Sequence, residues 1–239
     1  MYKYEMHLHS KGTSACGSAE SVDYIERAKE VGYAGMVFTN HFIRGNTAID
    51  RDLPWKEFVE FYRQDWLVAK ELGDKHGIDV LFGVEDGYGA GKECLIYGLL
   101  PEDIAECENF RNMPIAEISA FVRGKGGFIV AAHPFRVRGY IKNPDAEPDM
   151  SLFDAIEVYN RGNMPEDNLK AEAFAKKCGC AVISGGDTHS TGGFGFAGIS
   201  LPEIMGSEKR LVEFLKKGDY TLLYDENKND FGEKLPSRA

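Results

Sequence analysis

Five of the six histidines in this 239-residue chain fall where apolar, strand-like runs end: His7, His9, His41, His133 and His189. Two carboxylates occupy the same kind of position, Glu85 in Gly83-Val-Glu85 and Asp187 in Gly186-Asp-Thr-His189. Imidazoles and carboxylates gathered from successive strand ends make a ligand set for divalent metals. The chemistry such a set supports is metal-dependent hydrolysis.

Each motif alone has an ordinary counterpart. His7-Leu-His9 puts two imidazoles on one face of a strand, because side chains i and i+2 point the same way. Two hydrogen-bonded polar side chains would read identically. Asp187-Thr-His189 repeats that spacing behind a flexible Ser184-Gly-Gly, and its bland version is an Asx-type turn beside a solvated histidine. Glu85 follows Leu81-Phe-Gly-Val84, where a carboxylate needs a partner because an isolated buried charge is costly. His133 closes Phe128-Ile-Val-Ala-Ala132 ahead of Pro134, which stops the ladder; alone it would be a satisfied core residue. The combination tips the balance, since five independent accidents would otherwise be required. His76 is the contrast, explained by a helix C-terminus.

The elements that must position these groups alternate between short apolar runs and amphipathic stretches, the signature of βα units. Strands are expected near residues 3–8, 35–39, 79–84, 94–98, 128–132, 154–158 and 181–184. Consecutive apolar positions in them fit parallel strands covered on both faces. Helices are expected over 19–31, 54–76, 114–123, 166–177 and 207–217. The longest has Pro54 at its first position, Trp55, Phe58, Val59, Tyr62, Trp66 and Ala69 at helical spacing, and Gly77 as its stop. Residues 138–151, with Pro144 and Pro148, read as a long loop. About seven strands with intervening helices predict a closed or nearly closed, TIM-barrel-like β/α barrel, one domain over residues 1–239. The C-terminal strand ends would form its site.

Composition narrows the function. Hydrophobic content of 43% and charged content of 28% are ordinary for a globular protein. A net charge of −10 argues against non-specific binding to long nucleic acid. A small anionic substrate stays open, because bound cations reverse the potential locally. Five cysteines, an odd number, do not resemble a disulfide framework. Neither a signal-peptide pattern at the N-terminus nor a bilayer-length apolar run is present in the sequence. The expectation is a reduced, cytoplasmic protein with no membrane partner.

Taken in order, His7-x-His9, Thr39-Asn-His41, Gly83-Val-Glu85, Ala132-His133-Pro134 and Gly186-Asp187-x-His189 resemble the polymerase and histidinol phosphatase (PHP) family over nearly the whole chain. The resemblance implies a distorted seven-stranded β/α barrel that holds two or three divalent ions (zinc, manganese or iron) and hydrolyses phosphate esters. Carried over position by position, it implies that His7, His9 and Asp187 bind one metal and that Glu85 bridges to a second, held by His133. His41 and His189 would serve a third.

Three positions depart from the family pattern. Cys16 stands near where members commonly carry Asp or His; it reads either as a zinc-binding thiolate or as a small buried residue. Leu95, or Cys94 by a one-residue shift, stands where a further histidine is often found. Asn40 replaces a frequent Asp.

Clustered metals suit attack of an activated water on phosphorus. His9, Glu85 and Asp187 are the expected catalytic centre, acting on a small phosphorylated metabolite. Arg136 and Arg161, each just past a strand end, are candidates to grip its phosphate, with Arg138 behind them. Lys11 and Tyr159 are further candidates for the mouth. The Gly-rich Ser190–Phe196 segment lacks a Walker lysine and reads as a mobile loop beside the metals. Cys178-Gly-Cys180 reads as buried structural cysteines. The competing readings are a phosphodiesterase or exonuclease, and a non-catalytic metal-binding domain that regulates a partner.

Overall fold

The structure, a computed structural model, describes residues 1–224; residues 225–239 of the expected single domain lie outside the described residues. Nine strands among them are β1 (Tyr2–Leu8), β2 (Gly35–Phe38), β3 (Asp79–Gly89), β4 (Lys92–Tyr97), β5 (Phe128–Ala132), β6 (Ala155–Asn160), β7 (Ala181–Gly185), β8 (Gly198–Leu201) and β9 (Thr221–Leu223). Six helices accompany them: α1 (Asp23–Val31), α2 (Trp55–His76), α3 (Pro101–Ala105), α4 (Ile115–Gly124), α5 (Pro165–Cys178) and α6 (Glu208–Lys217).

The strands form one sheet in the order β7-β6-β5-β4-β3-β2-β1-β8-β9. It curls until β7 meets β1: Thr188 N donates to His7 O at 3.0 Å and His9 N to Thr188 O at 2.8 Å. The result is a nearly closed barrel, with nine strands rather than the seven expected. The two extra strands are short, and β8 follows directly on the Gly-rich segment that reads as loop. Two further differences matter for the site. Glu85 lies inside β3, which runs on to Gly89 as a hairpin with β4, and β4 is antiparallel to both of its neighbours.

Consecutive apolar residues split between two layers. Val37, Leu81, Leu95, Tyr97, Val130 and Ile183 fill the barrel interior with Leu211 and Leu215 of α6. Their neighbours Met36, Phe38, Val80 and Phe82 face outward and pack with Tyr62, Trp66 and Ala69 of α2. Burying each large side chain is worth roughly 1.5–3 kcal/mol, so both layers hold the strands in register. Helix α6 closes the end opposite the histidines. A Cβ on Gly98, at the far end of β4, would lie 2.5 Å from Val212 Cγ2.

The other expected helices agree within a residue or two except α1, which begins at Asp23 rather than near residue 19. Phe194 corrects the mobile-loop reading of 190–196, being fully buried against the Tyr24 and Tyr33 rings. Cys178 is exposed and Cys180 only partly buried, unlike the buried pair expected. No helix among the described residues is long and apolar enough to cross a membrane.

Candidate metal centre

All seven predicted ligands converge at the barrel rim. His7 and His9 project together from the end of β1, their ring centroids 5.1 Å apart. The His9 ring lies 4.4 Å from that of His41 and 4.5 Å from that of His189. Glu85 sits in the middle: its Oε1 is 3.2 Å from His7 Nε2 and 2.9 Å from His133 Nε2, and its Oε2 is 2.9 Å from His41 Nδ1. Asp187 Oδ1 approaches His9 Nε2 at 3.2 Å and His7 Nε2 at 3.5 Å. His133 and Asp187 both adopt left-handed backbone, φ +28° and +50°, unusual outside glycine and typical of over-determined functional sites.

Neighbouring side chains aim the imidazoles. His7 Nδ1 lies 2.9 Å from Glu157 Oε1, and His9 Nδ1 lies 3.1 Å from Ser14 Oγ, so both Nε2 atoms face inward. His133 is tied through its backbone N, which donates to Glu157 Oε2 at 2.9 Å. Asn40, the departure beside His41, serves support: its Oδ1 accepts from Ser10 N at 2.7 Å and from Ser14 Oγ at 2.9 Å. Its amide NH2 donates to Ser10 Oγ at 2.8 Å.

Two acidic residues were not singled out from the sequence. Glu157 is one. Glu93 is the other, with its carboxylate oxygens 3.5 Å from His41 Nδ1 and 3.6 Å from His133 Nε2. Scanning the C-terminal ends of strands passes over Glu93, because antiparallel β4 brings its N-terminal end to the rim. The usable signal was alternation: Glu93 shares the inward face of Leu95, two residues on. Leu95 itself stands opposite Glu85 in the ladder as core, and Cys94 turns its Sγ toward Asp86 O at 3.5 Å. Neither is placed to ligate.

The buried carboxylates and imidazoles shift one another's protonation. Burial would raise Glu85, but the His7 and His41 charges outweigh it and hold the carboxyl well below its usual range. Burial and then the Glu85 charge push Glu93 up to about 8. Burial would depress His41, yet Glu85 and the Cys16 hydrogen bond lift it to about 11. Cys16 is exposed, with Sγ 3.1 Å from His189 Nε2. Desolvation would raise its thiol, but hydrogen bonds with His189 and His41 bring it down to about 5.

The fit to metal rests on orphaned donors. Nε2 of His7 and His9, Nδ1 of His41 and Oε2 of Glu85 are buried without a hydrogen-bond partner. Buried polar atoms are normally paired, and these four point at one another. Donor atoms of His7, His9 and Glu85, of His7, His133 and Asp187, of His41, Glu85 and Glu93, and of His9, His41 and His189 each cluster within 4.8 Å. A nitrogen and oxygen set of this kind can hold divalent zinc, manganese or iron.

The cationic candidates are placed unevenly. Arg136 is buried and forks onto Asn163 Oδ1 at 2.7 Å, Asn160 Oδ1 at 2.8 Å and the Asp187 carboxylate, so it braces a predicted ligand. Arg161 stacks over Phe196 at 4.4 Å and lines a hollow beside the centre with Arg136, Arg138 and His189. Lys11 points outward to Glu20, and Tyr159 is buried in β6, so neither reaches the mouth. A larger cavity of about 750 Å³ opens over His41, Glu93, Asp187 and His189, walled by Arg44, Arg51 and Tyr140.

No family model and no curated protein matches the sequence. Solved structures do match. A two-domain protein from Bacteroides vulgatus containing a predicted PHP-like metal-dependent phosphoesterase is 16% identical, with a TM-score of 0.63, over 93% of this chain and 64% of that one. A protein from Bifidobacterium adolescentis assigned as a metal-dependent phosphoesterase is 17% identical, with a TM-score of 0.54, over 90% and 96% of the two chains. The lesion-specific endonuclease PfuEndoQ from Pyrococcus furiosus is 12% identical, with a TM-score of 0.63, over 92% and 57%. The chain spans less than two thirds of the length of the Bacteroides and Pyrococcus proteins. At these identities the likeness is one of fold, and the chain has the fold of the PHP-like phosphoesterases.

Proposed function

We propose that the chain is a metal-dependent phosphoesterase that hydrolyses a small phosphomonoester. The observation that carries this reading is the ring of buried, unpartnered donors from His7, His9, His41 and Glu85, closed by Asp187 and opening into a cavity of substrate size. Divalent ions bound there would supply Lewis acidity toward phosphoryl oxygens and a more acidic water.

The protein's own side chains define the rest. His7, His9 and Asp187 would hold one ion, His133 and Glu93 a second with Glu85 available to both, and His41 and His189 would serve a third. Glu157 and Ser14 fix ring orientation, and Arg136 fixes Asp187. Arg161 lines the hollow beside His189 and Asp187 and is the arginine proposed to meet a phosphate, while Arg136 braces Asp187. The domain is proposed to act in the cytoplasm, in keeping with five free cysteines.

The fold likeness to a lesion-specific endonuclease supports a second reading, hydrolysis of a phosphodiester. The net charge of −10 and the concave mouth favour the smaller substrate. A panel of phosphomonoesters, diesters and oligonucleotides, assayed with zinc, manganese and iron, separates the two. Preference for oligonucleotides would overturn the phosphatase reading, and metal binding without turnover would leave a regulatory domain.

A further inference from the structure

Cys16 stands at the rim of the centre on a turn built to hold it there. Ala15 N donates to Asn46 O at 2.9 Å and Ser18 N to His189 O at 2.8 Å, pinning both flanks. Gly17 passes so close to the chain that a Cβ would lie 2.5 Å from Ser10 C. That close pass matters because the cysteine side chain is short, and its sulfur reaches a centre only if the backbone comes near.

The sulfur does reach it. Sγ is 3.1 Å from His189 Nε2. Ring nitrogens of His9, His41 and His189 fall within 4.8 Å of one another. His9 is fully buried and His41 only 8% exposed, and each presents a ring nitrogen with no hydrogen-bond partner. A thiol at the edge of three clustered imidazoles has the donor types of a zinc site.

We propose that the Cys16 thiolate, with His41 and His189, ligates one ion of the centre and makes that position selective for a thiophilic metal. This deepens the metal-centre reading and rests on it. Sulfur binds zinc at about 2.3 Å and favours it over manganese and magnesium, which prefer oxygen. The other positions, furnished by imidazole and carboxylate alone, carry no such preference. The centre is therefore mixed, with one zinc-selective position beside more permissive ones.

Cobalt(II) alone, added to the chelator-stripped full chain, reads this without any substrate. Cobalt bound to wild type is expected to show an intense sulfur-to-metal charge-transfer band in the near ultraviolet. Cys16→Ser should lose the band together with about one bound ion per chain. Cys16→Asp should regain the ion without the band, and should favour zinc over manganese less than wild type does. A band that persists in Cys16→Ser, or cobalt bound to wild type with no band, overturns the assignment of Cys16. Wild type that binds no metal at all overturns the metal-centre reading itself, a distinct result. A measurement on wild type covers the case of a variant that fails to fold. Maleimide modification of Cys16, located by mass spectrometry, should slow about tenfold or more with zinc present, because a ligated thiolate is not free to react. Equal labelling with and without zinc overturns the proposal.

Discussion

Nδ1 of His7 lies 2.9 Å from Oε1 of Glu157, and this contact between β1 and β6 sets where the opposite ring nitrogen points. Glu157 also receives the His133 backbone N–H at 2.9 Å and the Asn160 amide at 2.9 Å, so one buried carboxylate orients candidate ligands from two strands. Removing such an orienting partner typically costs about 10–100-fold in metal affinity. Glu157→Gln should weaken zinc binding by that order while the far-ultraviolet circular dichroism is unchanged. Titration calorimetry measures it, and wild-type affinity in the variant would refute the orienting role.

His9→Ala should abolish turnover and leave a folded chain, because it removes one orphaned donor while Ser14 Oγ keeps its bonds to Asn40 Oδ1 and the His41 backbone N–H. Asp187 needs a gentler change. Its carboxylate is paired with buried Arg136, and stripping one partner from a buried pair costs about 3–5 kcal/mol. Asp187→Asn keeps the shape and should also abolish turnover, with a smaller fall in melting temperature than Asp187→Ala. Unchanged activity in His9→Ala or Asp187→Asn would remove the site from consideration.

Metal binding should release protons. Burial would lower both rings, but the Cys16 hydrogen bond lifts His189 to about 9 and the Glu85 charge lifts His41 to about 11, both above the ordinary 6.5. Their folded values exceed the unfolded ones. The stability they lend is therefore full below about 6.5 and is lost as the pH rises through about 9 and then about 11. A metal must displace those protons and the one that Glu93 holds up to about 8. Zinc affinity should accordingly climb with pH through this window. Calorimetry in buffers of differing ionisation enthalpy reads the proton count at neutral pH, and proton uptake would contradict the ligand set.

Arg161→Ala should raise KM for a phosphomonoester about tenfold with kcat nearly unchanged, the loss of one charge-assisted hydrogen bond to the phosphate. A fall in kcat at constant KM would instead place Arg161 in the chemistry.

Gly98 tests the closure of the barrel by α6. Its φ is +83° and its missing Cβ leaves room for Val212. Gly98→Ala should destabilise the fold by about 1–3 kcal/mol, lowering the melting temperature. Zinc stoichiometry should stay the same, because this contact lies at the rim opposite the histidines.

The sequence by itself picked out the seven side chains that meet at the rim, the alternation of strand and helix, and the barrel-like class of the fold. Those follow from local rules: residue type at the end of an apolar run, two-residue alternation, and helical spacing such as that of Trp55 to Ala69. Tertiary structure alone decided what depends on partners distant in the chain. The direction of β4 is set by its pairing with β3 and β5, and that direction turned Glu93 inward at the rim while leaving Leu95 in the core. Arg136 reads as a substrate contact from its motif, but Asp187, Asn160 and Asn163 meet it only once β6 and β7 lie side by side. The nearness of Cys16 to the centre likewise arises only where the turn from Ser14 to Gly17 passes close to Ser10 and brings sulfur 3.1 Å from His189 Nε2.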